Sequence, residues 1–105
     1  MSGGRLQILL DQLERDPADS FTKYAIGLEY ASLGELEKAR DTFEELRNTD
    51  PTYHALYYQL GKVYERLGDE NTAKKVYEQG IFVTAGKGEL HEKSELEQAI
   101  NDLLF

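Results

Sequence analysis

The chain has no cysteine among its 105 residues, which removes disulfides, thiolate zinc sites, iron–sulfur clusters and cysteine nucleophiles together. Basic residues are scarce: 12 Lys and Arg stand against 20 Asp and Glu, a net charge of −8 spread over both halves. Neither half offers the basic patch that a nucleic acid or an anionic membrane requires. No stretch approaches the roughly 18 consecutive apolar residues of a membrane span. The start, Met1-Ser2-Gly3-Gly4-Arg5, precedes an amphipathic run interrupted by Asp11 and Glu14, so it lacks the apolar run of a signal peptide. The simplest compartment is the cytoplasm.

The patterns of catalysis are missing as well. There is no Gly-x-Ser-x-Gly elbow, no His-Glu-x-x-His pair and no glycine-rich phosphate loop, Gly86-x-Gly88 being too short. The two histidines, His54 at a helix start and His91 beside Glu89 and Glu92, read as solvated groups rather than zinc or nickel ligands. Carboxylates are abundant but fall on exposed helical faces, not in the shielded pairs that acid–base work needs. The expectation is a chain that is not an enzyme and needs no metal or cofactor.

What is present is a repeat. At an offset of 34 residues, Asp16-Pro17 recurs as Asp50-Pro51, Tyr24 as Tyr58, Gly27 as Gly61, Tyr30 as Tyr64, Leu33-Gly34 as Leu67-Gly68, Ala39 as Ala73 and Glu44 as Glu78. Within each unit the apolar residues recur at three and four: Ile26, Tyr30, Leu33, and Tyr57, Leu60, Tyr64, Leu67. That is helical spacing. Gly34 and Gly68 end these runs, and a second helical period follows with Leu36, Ala39, Phe43, Leu46 and with Ala73, Val76, Tyr77, Gly80. Gly27 and Gly61 sit inside helices at a cost of about 1 kcal/mol relative to alanine, which implies close backbone approach, with Ala39 and Ala73 as the natural counterparts.

These residues resemble the tetratricopeptide repeat (TPR) family, whose unit is a 34-residue helix-turn-helix. Tyr57-x2-Leu60-Gly61-x2-Tyr64 and Ala73-x3-Tyr77 in the second unit look like the family signature, as do Gly27, Tyr30, Gly34, Ala39, Phe43 and Pro51 in the first, and Gly68 in the second. Lys23 replaces the leading aromatic, Leu46 a usual small residue and Ala85 the closing proline. The resemblance covers roughly Ser20 to Ala85. It implies an all-α single domain over 1–105, a right-handed α-solenoid of two TPR units and about six helices. Its parts are an N-terminal capping helix at 5–15, repeat 1 at 20–53, repeat 2 at 54–87 and a C-terminal capping helix at 89–105. Gly86-Lys87-Gly88 reads as a loop before that last helix. Ser94-x-x-Glu97 has the spacing of a capping box ahead of the stripe Leu96, Ala99, Ile100, Leu103.

The resemblance also implies a function, a non-enzymatic adaptor or scaffold binding a peptide or helix of a partner protein on a concave face. The side chains it points to are Phe21, Tyr24 and Leu28 with Ala31, and Tyr58, Gln59, Lys62 and Arg66. Tyr58, Lys62 and Arg66 share one helical face at four-residue spacing. Rings beside two cations suit a peptide with a carboxylate and apolar side chains. The clamp of the family's chaperone-tail binders also needs asparagines that are absent here, so that ligand is not expected. Two plainer readings stand beside this one: Phe21, Tyr24 and Leu28 pack under the N-terminal helix, and Lys62 and Arg66 form a solvated face paired with Glu65 and Asp69. The alternative function is a self-associating module, a weak homodimer or the cap of a larger assembly, suggested by Ile81-Phe82-Val83 and Leu103-Leu104-Phe105, unless those clusters cover each other. The acidity fits either a basic partner or a salt-rich cytoplasm.

Overall fold

The structure is a computed structural model that describes residues 2–105, with side chains from Gly4 onward. It is all α, six helices in a TPR-like array: α1 (Ser2–Arg15), α2 (Ser20–Ser32), α3 (Leu36–Thr49), α4 (Ala55–Arg66), α5 (Glu70–Lys87) and α6 (Leu90–Leu104). No helix among the described residues is long and apolar enough to cross a membrane. Two compact units, Met1–Tyr53 and His54–Phe105, hold three helices each.

In the first unit α2 packs on both α1 and α3. Asp19 caps α2, its carboxylate accepting from the Phe21 amide at 3.2 Å and the Thr22 hydroxyl at 2.5 Å, which satisfies donors that a helix start leaves open. The pair α2–α3 is buried around Ile26, Ala39, Phe43 and Leu46. Lys23, standing where the family has an aromatic, is itself buried: its stem packs like an apolar chain while its ammonium donates to Thr49 Oγ1 at 3.3 Å. Ser20 Oγ donates to Asp50 Oδ2 at 2.6 Å, tying the start of α2 to the end of α3. Arg5 reaches Glu29 at 3.5 Å from α1.

In the second unit α5 packs on α4 and α6 over Leu56, Tyr57, Leu60, Val63, Ala73, Val76, Tyr77, Leu96 and Ala99, all buried. The recurrent helix glycines are indeed points of close approach, but their counterparts are rings, not the alanines. A Cβ on Gly27 would stand 2.5 Å from the Phe43 ring, and a Cβ on Gly61 would collide with the Tyr77 ring. Alanine at 39 and 73 is buried beside these contacts, while the bulk that fills each glycine notch is aromatic. Gly80 is a third such notch, against Tyr57 and Leu96.

Three expectations change at the helix ends. α1 begins at Ser2 rather than Arg5, because glycine in a first turn weakens a helix without breaking it. Gly86-Lys87-Gly88 is not a loop: α5 runs through Gly86 to Lys87, since Ala85 stands where a proline would have ended it. Only Gly88 turns, with φ of 73°, and the amides of Gly88 and Glu89 bond to the carbonyls of Ala85 and Thr84 at 3.2 and 2.9 Å. That is the same double-bonded helix end found after Gly34 and Gly68. Ser94, finally, is no cap: α6 starts at Leu90, and Glu97 bonds Lys93 at 3.3 Å.

Two stability outcomes follow. Gly61→Ala should destabilise by about 1–3 kcal/mol, because overpacking against the Tyr77 ring outweighs the better helix propensity, whereas Gly86→Ala, helical and open to solvent, should stabilise by about 0.5–1 kcal/mol. Urea unfolding followed by circular dichroism reads both signs. Leu96→Ala, which removes a fully buried side chain from α6, should cost about 2–5 kcal/mol in the same measurement.

Candidate functional site

The helix period puts Tyr58, Lys62 and Arg66 one turn apart on α4, opposite the buried stripe of Leu56, Leu60 and Val63. The Lys62 ammonium lies 5.4 Å from the centroid of the Tyr58 ring, within cation–π range, and 3.5 Å from a Glu65 carboxylate oxygen. Gln59 is half-buried beside them and Arg66 is exposed. The pairing with Glu65 expected of a solvated face therefore holds for Lys62. Asp69 instead caps α5, accepting from the Thr72 amide at 3.1 Å. That hydrogen bonding to Thr72 holds its carboxyl below the usual range.

Glu65 is itself anchored. The Tyr77 hydroxyl, on a fully buried ring of α5, donates to its carboxylate, and burial first, then this bond, push the Tyr77 phenol far above its ordinary pKa. The Tyr77 ring lies 6.4 Å from that of Tyr58. Tyr58, Lys62, Glu65 and Tyr77 thus close a circuit of two rings, one cation and one anion on α4 and α5. Sequence reasoning missed the Tyr77–Glu65 link although the repeat contained its signal. At the same offset the first unit has Phe43 for Tyr77 and Ala31 for Glu65, so the hydroxyl and its acceptor are present together in one unit and absent together in the other.

The α2 face differs. Tyr24 packs against Phe43 and Tyr53 at centroid distances of 5.9 and 5.5 Å, as part of the unit's own packing. Phe21 is 67% exposed and Leu28 also reaches solvent, so α1 does not cover them. Ala31 is half-buried. His91, on an exposed stretch of α6, lies 3.7 Å from Glu95 rather than beside Glu89 and Glu92.

The TPR repeat family model matches residues 27–68. The solution structure of a tetratricopeptide repeat domain protein from Salinibacter ruber is 42% identical, with 84% of this chain and 89% of that one covered at a TM-score of 0.80. Two more distant structures share the fold: the TPR2B domain of yeast Sti1 in complex with pHsp70, 13% identical over 97% of this chain and 82% of that one with a TM-score of 0.91, and PcrH in complex with the chaperone binding region of PopD, 14% identical over 98% and 78% with a TM-score of 0.90. With the 34-residue repeat, the glycine notches filled by Phe43 and Tyr77, and a 42% identical TPR domain aligned over most of both chains, the chain belongs to the tetratricopeptide repeat family.

Proposed function

We propose that this chain is a non-enzymatic protein-interaction module that binds a peptide or helix of a partner protein, with the outward face of α4 as its principal contact. The observation that carries this reading is the circuit on that face: Lys62 is held over the Tyr58 ring and against a Glu65 that is itself anchored by Tyr77. Long side chains lose entropy when a partner immobilises them, and here much of that ordering precedes binding. Tyr58 and Lys62 therefore present a preformed aromatic and cationic surface, with the exposed Arg66 one turn on. Phe21 and Leu28 on α2 supply a separate apolar contact of the same kind. The peptide-bound TPR structures of Sti1 and PcrH support a protein partner in general, and the partner chemistry that suits this face is an apolar segment bearing a carboxylate that competes with Glu65 for Lys62.

Comparative capture from native lysate, wild type against the Tyr58→Ala, Lys62→Ala, Arg66→Ala variant, tests the reading. A partner retained by the wild type and weakened about tenfold or more in the variant is expected, with an unchanged circular dichroism spectrum and with binding that falls as salt rises. Equal capture by both proteins overturns the α4 assignment.

A second reading has its own observation. The apolar clusters near the C-terminus do not cover each other: Ile81, Val83 and Leu103 are half-buried, but Phe82 is 82% exposed, and Leu104 and Phe105 also face solvent. An exposed phenylalanine on α5 suits self-association. Sedimentation velocity across a concentration series should then show a dimer that Phe82→Ser abolishes; a monomer at every concentration rejects it.

A further inference from the structure

The structure brings together three groups that the sequence kept apart. His54 is the N-cap residue of α4, Glu89 the N-cap residue of α6, and Glu92 lies in the first turn of α6. One imidazole nitrogen and one oxygen from each carboxylate all lie within 4.8 Å of one another, and all three residues are half-buried. The turn at Gly88 creates this arrangement. Because α5 ends in a left-handed residue rather than a loop, the chain reverses within two residues and delivers Glu89 to the start of α4.

Two further observations point to a cation. Glu89 occupies the position from which a carboxylate ordinarily caps its helix, yet its side chain makes no such bond, and among the described residues neither the Glu89 nor the Glu92 carboxylate has a hydrogen bond or ion pair. The His54 ring, by contrast, already holds a positive group. Lys87 Nζ lies 3.1 Å from His54 Nδ1. An imidazole with an ammonium already beside it, next to two carboxylates whose side chains have no partner among the described residues, is the donor set of a metal site.

We propose that His54, Glu89 and Glu92 bind a divalent transition-metal ion of the zinc or nickel class, in competition with the Lys87 ammonium. One imidazole and two carboxylates suit these borderline ions better than calcium or magnesium, which take oxygen ligands alone. Metal–ligand bonds of about 2.0–2.2 Å bring ligand atoms within roughly 4 Å of each other, so closure needs only small side-chain movements. Three protein ligands leave the remaining position to water. Bound metal would pin the first turn of α4 to that of α6 within the second unit.

Calorimetric titration of the tag-free chain with Zn²⁺, repeated with Ni²⁺, in a non-coordinating buffer tests the site. The expected result is one saturable equivalent whose affinity falls at least about tenfold in His54→Ala and in Glu92→Gln, rises severalfold in Lys87→Met, and is unchanged in His91→Ala. Metal should also raise the thermal midpoint of the wild type but not of His54→Ala, because only a native-state ligand stabilises. The conservative Glu92→Gln keeps the test valid if His54→Ala unfolds. No saturable binding, or binding that His91→Ala abolishes while His54→Ala and Glu92→Gln retain it, overturns the proposal.

Discussion

The contact on which the second unit depends is the seating of the Tyr77 ring in the notch left by Gly61. A helix pair can approach this closely only where one backbone presents no Cβ, and the ring that enters then fixes both the spacing and the rotation of α4 against α5. The first unit repeats the device with Phe43 and Gly27. Everything the faces display follows from that rotation. The stripe of Leu56, Leu60 and Val63 is turned inward, so Tyr58, Lys62 and Arg66, about half a turn away on α4, are turned outward.

A repeated backbone need not carry repeated chemistry. The same notch holds a phenylalanine in one unit and a tyrosine in the other, and the single added hydroxyl has consequences. Buried and kept neutral by its surroundings, the Tyr77 phenol must find an acceptor, and it finds Glu65. Glu65 in turn holds Lys62 over Tyr58. The polar face of α4 is therefore organised from inside the core, whereas the corresponding face of α2, with Leu28 and Ala31 in place of Lys62 and Glu65, stays apolar. Two units of one design thus offer different surfaces to a partner.

The end of α5 shows how one missing residue redirects a chain. α3 stops at Thr49, two residues before Pro51, whereas α5 meets Ala85 instead of proline and continues to Lys87. The stop then falls to Gly88, whose left-handed backbone closes the helix with the same pair of hydrogen bonds seen after Gly34 and Gly68. The result is a tight reversal that places the first turn of α6 near that of α4 and seats Leu96 in the Gly80 notch.

The sequence by itself determined the helix count, the family and part of each buried stripe, though it put the exposed Leu33 on one stripe and left the buried Leu56 and Val63 off another. Those features are written in local signals, namely helical periodicity, glycine stops and a 34-residue self-similarity, and each needs only nearby residues to act. It also placed Tyr58, Lys62 and Arg66 on one face, since that is a matter of helical phase. Tertiary structure alone decided what fills the glycine notches, because a ring twelve or more residues away and an adjacent alanine leave the same trace in a repeat. It alone decided that Glu65 belongs to Tyr77, that Lys23 can be buried by reaching Thr49, and that His54 rather than His91 meets Glu89 and Glu92. Each of these pairs joins different helices, and which side chains meet across helices depends on rotations and helix lengths that no single segment encodes.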